Sequence, residues 1–194
     1  MPRAGLDEAT VLQAAMEIAD EQGLDALVLA KLAKKLGVRT PSLYNHIDGL
    51  MGLRKKLTVY GLESLSESLT QSAVGKSKED AVRSLAEAFI HFARRHPGLY
   101  EAAERSPHWD GEEIQTASKK VLDPIIQVFQ AFGIENEGLQ VHLIRGFRSL
   151  VHGFASIEQQ GGFGMPVEVD ESFQVVIDTY LDGIKSTVEA HKKE

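Results

Sequence analysis

Apolar positions recur every three to four residues along most of this chain, and the two-residue alternation of strands is almost absent, so the pattern predicts an all-α fold. From about Asp7 to Gln22 the stripe Val11, Ala15, Ile18 and Ala19 defines a first helix. Asp7 or Glu8 suits its positive N-terminal end, and Gly23 supplies a left-handed stop. A short second helix follows from about Leu29 to Leu36, turning Leu32, Ala33 and Leu36 inward and ending at Gly37. A third runs from Thr40 to His46, with Thr40 as its cap, Pro41 at an initial position, and Leu43 and Ile47 facing the core. Asp48-Gly49 breaks it, and a fourth helix is expected from near Leu50 to about Leu69.

Residues 71–78 read as a polar hinge. Beyond it helices are expected over Lys78–Arg95, Leu99–Glu104, Gly111–Phe132 with a bend near Pro124, and Asn136–Gln160. A Gly-rich loop then leads to a last helix, capped by Asp170 and reaching about Val188. The chain thus divides into a three-helix head (1–56), a connecting fourth helix (50–69) and a larger helical body (77–194), about nine helices in all.

Composition narrows the chemistry. The 194 residues suffice for a buried core, and the absence of cysteine excludes disulfides, a thiol nucleophile and thiolate zinc sites. No apolar run approaches the roughly 18 residues of a membrane span and no leader pattern opens the chain, so a cytoplasmic protein is expected. The net charge of −7 is segregated. Residues 4–27 carry six acids and no Lys or Arg, whereas residues 28–60 hold Lys31, Lys34, Lys35, Arg39, Arg54, Lys55 and Lys56 against Asp48 alone. A compact basic segment in an acidic chain suits a polyanion.

That segment contains two short helices joined by Gly37-Val38, the helix-turn-helix pattern. Such a unit lays its second helix in the major groove while the first crosses the phosphate backbone. Arg39, Thr40, Ser42 and Asn45 take the base-edge positions, Arg39 forking onto a guanine and Asn45 onto an adenine. Tyr44 and His46 fall beside phosphates, Pro41 lies between them and the turn, and Lys31, Lys34 and Lys35 add charge from the neighbouring helix. Against this, Tyr44 also fits a half-buried core aromatic, His46 an interior histidine, and Lys55 and Lys56 a solvated face. Arg3 lies in an N-terminal arm within reach of a minor groove.

Ile18-Ala19, Gly23-Leu24, Leu32-Ala33, Leu36-Gly37-Val38 and Leu43-Tyr44-x-His46-Ile47 occur in this order at tight spacing over residues 7–56. This set resembles the N-terminal domain of the TetR family of bacterial transcription regulators. The resemblance implies a homodimer that represses by occupying a double-stranded operator and is released by a small ligand in the C-terminal domain. His96-Pro97-Gly98-Leu99-Tyr100 and Val151-His152-Gly153 resemble the subgroup whose C-terminal domain is named for Trp, His and Gly. Three positions depart from the family pattern. Val28 stands where a capping Ser or Thr is usual, Ala30 where a DNA-contacting side chain can stand, and Leu50 where a Lys often clamps the backbone. These favour the alternative of an all-α ligand-binding or signalling protein that has lost DNA binding.

In the body, His91, His96 and His108 lack the spacing of a metal site, and Gly75-Lys76-Ser77 lacks the first glycine and the strand of a phosphate loop. No nucleophile elbow is present, so neither catalysis nor a cofactor is expected. Phe89, Phe92, Tyr100, Trp109, Phe129 and Phe147 crowd the middle of the body; they suit core positions and are also the candidates for an apolar pocket, with His142, Arg145, His152 and Gln127 as polar groups. No Lys or Arg cluster lies among the inward positions, so a neutral or weakly polar effector is expected. The last two long helices present broad apolar stripes. Gly146, Leu150, Gly153, Phe154, Ile157, Val176, Tyr180 and Ile184 are the expected faces of an isologous four-helix dimer contact.

Overall fold

A computed structural model describes residues 6–106 and 110–191. Among these residues there are nine α-helices, one 3-10 turn and no strand. Arg3, His108 and Trp109 lie outside the described residues. The helices are α1 (Glu8–Gln22), α2 (Leu29–Leu36), α3 (Thr40–Leu43), α4 (Gly49–Ala73), α5 (Lys78–Arg95), α6 (Pro97–Glu104), α7 (Glu112–Gln130), α8 (Glu137–Gln159) and α9 (Val169–His191).

Local chemistry sets most boundaries. Asp7 caps α1, its carboxylate accepting from the Thr10 N–H at 2.7 Å; the Thr10 side chain first, and this N–H second, hold its pKa below the usual carboxylate range. Gly37 is left-handed (φ 67°) and closes α2, with the Val38 N–H donating to the Ala33 carbonyl at 3.0 Å. Some expected boundaries are corrected. Arg39, not Thr40, is the cap of α3, which stops at Leu43; residues 44–46 form a turn instead of continuing to His46. Asp170 is not the cap but lies inside the first turn of α9, where its carboxylate accepts from Arg94 at 2.5 Å. The Leu24–Ala26 turn was too short to show in the periodicity.

The chain groups into two compact units. The first comprises Met1–Leu65 with Arg95–Lys120, the second Ser66–Arg94 with Val121–Glu194. The first unit therefore takes in 95–120, a stretch the periodicity assigned to the body. Its core holds Val11, Ile18, Leu27, Leu32, Leu43, Leu53 and Leu57, with Leu99 and Tyr100 from α6 also buried. In this unit α1 packs against both α2 and α6. In the second unit Phe129, Phe147, Leu181 and Ile184 are buried, and Phe129 meets Phe147 edge-on with centroids 5.8 Å apart. Arg94 clamps the end of α8 and the start of α9, donating to both carboxylate oxygens of Glu158 at 2.9 and 2.7 Å as well as to Asp170.

Candidate nucleic-acid interface

Leu43 and Ile47 are 0% and 4% exposed, so the short α3 is pinned by its apolar side and the residues between face outward. Arg39, Pro41 and Asn45 are exposed, Thr40, Ser42 and His46 half-buried. Tyr44 is 60% exposed, which removes the core-aromatic reading and leaves a phenol standing on the surface beside the turn. His46 instead lies close enough to Asp7 to help hold that carboxylate ionised.

The basic segment is partly neutralised from within the same unit. Lys35 pairs with Glu17 at 2.9 Å, an exposed contact that raises the lysine pKa and lowers the glutamate's. Lys56 pairs with Glu8 at 2.5 Å. Arg54 is turned toward the 3-10 turn, donating to the Leu24 carbonyl at 3.4 Å, while its Nε is buried without a partner. Among the described residues Lys31, Lys34 and Arg39 have no ion-pair partner. Charge counting along the sequence missed these pairings because Glu8 and Glu17 sit on α1, distant in the chain from Lys56 and Lys35.

Val28 occupies the cap of α2 with extended backbone (φ −130°), and no side chain accepts from the first turn. It is 44% exposed, so a hydroxyl has room there. Val28→Thr should stabilise the protein by about 1 kcal/mol by supplying the missing acceptor. Urea unfolding at fixed protein concentration checks this, and no gain would show that the first-turn amides are already satisfied.

A second feature of this unit was not expected from the sequence. Asp20, in the last turn of α1, accepts from the backbone N–H groups of Gly98 and Leu99 at 2.9 and 3.1 Å, and His96 Nδ1 lies 3.3 Å from its other oxygen. An acid at a helix C-terminus is opposed by the helix dipole; here the first-turn amides of α6 compensate it. That misplaced charge was the available signal. Around it Glu101 accepts from the Leu24 N–H at 3.1 Å, Arg105 bridges Glu101 and Asp25, and the buried Thr58 hydroxyl donates to the Ala102 carbonyl at 3.1 Å. Two glycines allow the close seating. A Cβ on Gly98 would lie 2.2 Å from the Ala19 carbonyl carbon, and one on Gly61 of α4 would lie 2.7 Å from the Leu99 carbonyl oxygen.

The second unit carries an apolar groove of about 490 Å³ between α8 and α9, lined by Leu143, Leu150, Val176, Tyr180 and Ile184 with Thr179, Gly183 and Thr187. Leu150, Val176, Tyr180 and Ile184 of the expected dimer face thus come together. The Tyr180 hydroxyl donates to the Leu143 carbonyl, and burial pushes its pKa up to about 12. Gly146 sits beneath this ring, its place for a Cβ 3.1 Å from the hydroxyl oxygen, whereas at Gly153 a Cβ would meet nothing within 4 Å. Ile157 is 46% exposed. Phe154 is a correction: it turns inward, packing on Phe163 and Phe173 with centroids 4.7 and 4.8 Å away. Phe89, Phe92, Phe129 and Phe147 are buried and do not line this groove, and Tyr100 is buried in the first unit.

A helix-turn-helix unit joined to a helical body is the architecture of a helix-turn-helix transcription regulator. The comparisons agree. A family profile described as the tetracyclin repressor-like C-terminal domain matches residues 82–180. The chain is 38% identical to YobS of Bacillus subtilis (strain 168), an uncharacterized HTH-type transcriptional regulator, over 94% of this chain and 95% of that protein. A protein of unknown function from Rhodococcus sp. RHA1 superposes with a TM-score of 0.80 at 23% identity, covering 93% of this chain and 96% of that one. A substituted TetR from Acinetobacter baumannii AYE in complex with minocycline gives 0.69 at 22% identity, covering 94% and 98%. The chain belongs to the TetR family of transcriptional regulators.

Proposed function

We propose that this regulator works as a homodimer, each head placing α3 in the major groove of one half of a pseudo-palindromic operator, and that a small molecule bound in the body releases it. The carrying observation is the outward array after the Gly37 turn: Arg39, Pro41, Tyr44 and Asn45 exposed along the short α3 and its flanking residues, anchored by Leu43 and Ile47. Arg39, Ser42 and Asn45 read base edges, Tyr44 holds a phosphate, and Lys31 and Lys34 add charge. The apolar α8–α9 groove supports an isologous contact with a second copy, which buries Leu150, Val176 and Tyr180. Repression by occupancy fits this arrangement, and a duplex ligand puts its working site in the cytoplasm. The effector is small and neutral or weakly polar, since the body's buried side chains are overwhelmingly apolar. The minocycline held by the Acinetobacter protein supports a ligand of the same general kind of site. Among the described residues no helix is long and apolar enough to cross a membrane.

Salt dependence tests the DNA contact. With Lys31 and Lys34 each meeting phosphate in both heads, log affinity should fall against log salt with a slope of about −4. Glu17→Gln frees Lys35 and should steepen that slope by about 1 to 2 and tighten binding at low salt. Fluorescence anisotropy across 50–200 mM salt, roughly the interval over which such contacts show, reads both quantities. An affinity that does not change with salt would remove the DNA reading in favour of a ligand-binding protein of this fold.

A further inference from the structure

We propose that the cleft between the loop after α4 and the C-terminal half of α7 binds a small organic carboxylate, with Lys76 holding the anionic group. The cleft measures about 250 Å³ and is lined by Thr70, Ala73, Val74, Lys76 and Ser77 on one side and Pro124, Gln127, Val128 and Ala131 on the other. It contains the Lys76-Ser77 pair of the failed phosphate-loop motif and the Gln127 amide, neither of which operator binding uses.

The cation is positioned rather than loose. Lys76 Nζ donates to Ser84 Oγ at 2.6 Å, and Ser84 in turn donates to the Asp80 carbonyl at 2.9 Å. Ser84 is one of only two buried polar side chains among the described residues, so a buried hydroxyl is committed to orienting this ammonium. Two further N–H donors remain on Lys76, and no carboxylate pairs with it among the described residues. The loop that carries it is also unusual: Gly75 is left-handed, and Lys78 (φ 48°) is the one non-glycine residue with positive φ among the described residues. Backbone of this kind persists where the surroundings over-determine it, as ligand loops do.

Size and lining define the occupant. The volume falls just below the range of drug-sized pockets, which starts at about 300 Å³. Ala73, Val74, Pro124, Val128 and Ala131 offer apolar surface, and a single cation balances one negative charge. A monocarboxylate with a short apolar chain fits; a phosphate dianion would bring a second negative charge that no cation of the lining balances. The claim concerns binding alone and is independent of what the head does with DNA.

Titration calorimetry of the full chain with hexanoate, hexan-1-ol and hexylamine tests it. Hexanoate should bind saturably and about tenfold tighter than hexan-1-ol, the worth of one charge-assisted hydrogen bond. Hexylamine should give no saturable heat. Lys76→Gln should erase the preference for hexanoate, Lys76→Arg should keep it, and Ala131→Phe should fill the cleft and abolish binding with Lys76 in place. Both positions are exposed, so the variants should keep the wild-type circular dichroism and melting temperature. Hexanoate binding Lys76→Gln or Ala131→Phe as tightly as wild type, or giving no saturable heat with wild type, would overturn the proposal.

Discussion

Gly98→Ala is expected to lower the stability of the protein by about 3 kcal/mol, the upper end of overpacking costs. The added methyl would lie 2.2, 2.4 and 2.6 Å from the Ala19 carbonyl carbon, oxygen and Cβ, so two backbones have to part before it fits. No side chain can swing away to relieve this, because the obstructing atoms belong to the α1 main chain and its nearest Cβ. Parting α6 from α1 also withdraws the Gly98 and Leu99 amides from Asp20, leaving a carboxylate at the unfavourable end of α1. Asp20→Ala isolates that second loss, and hydrogen bonds to a charged group are worth about 1.5–3 kcal/mol. The two changes touch the same contact, so the double variant should cost less than their sum. Urea unfolding at constant protein concentration measures all three. A Gly98→Ala protein within about 0.5 kcal/mol of wild type, the size of an ordinary surface change, would mean that α6 is not seated on α1 in this way.

The second large effect concerns assembly. Gly153→Leu should leave the body intact and weaken the dimer, because the position is open within the chain: a Cβ there meets nothing within 4 Å. Removing a glycine from the interior of α8 should even favour the helix, by about 0.8–1 kcal/mol. If α8 and α9 pair with those of a second copy, the same leucine pushes the helices apart at a cost of about 1–3 kcal/mol, a dimer roughly five- to 150-fold weaker. Opposite signs in chain stability and dimer affinity distinguish an interface position from a core one. Analytical ultracentrifugation over a dilution series reads the dimer constant; an unchanged constant would place the contact elsewhere than the α8–α9 groove.

What the sequence made legible was local. The limits of α2 at Leu29 and Leu36 and of α5 at Lys78 and Arg95 follow from residues at those points, Gly37 for the first and the His96-Pro97 break for the second. The apolar anchors Leu43 and Ile47, and therefore the outward side of α3, follow from periodicity in the same way. What it hid was long-range. Asp20 reads as one more solvent-facing acid until Gly98 and Leu99, nearly 80 positions on, supply its donors. Lys35 reads as a DNA cation and Lys56 as a solvated one until Glu17 and Glu8 are found beside them. Asp170 reads as a cap because its residue type suits one, yet it lies within the first turn of α9 and its carboxylate accepts from Arg94, 76 positions earlier in the chain. The aromatic crowding of the body suits a core or a pocket lining alike, and it is the pairing of Phe129 with Phe147 that shows these two filling space with each other. In each case composition named the group correctly, and only the fold could name its partner.

The most direct test is selection of duplexes from a random pool by the full-length protein, followed by footprinting of the winners. The expected winners carry an inverted repeat whose half-site centres lie one helical turn, about 10–10.5 bp, or a multiple of it apart, bound by one dimer. Arg39→Ala should relax the choice at one base position in each half-site by about 1–3 kcal/mol while Tyr44→Phe weakens all sequences alike. A pool that never enriches, or enriches for a single half-site bound by one chain, would contradict the account of paired heads on a pseudo-palindromic operator.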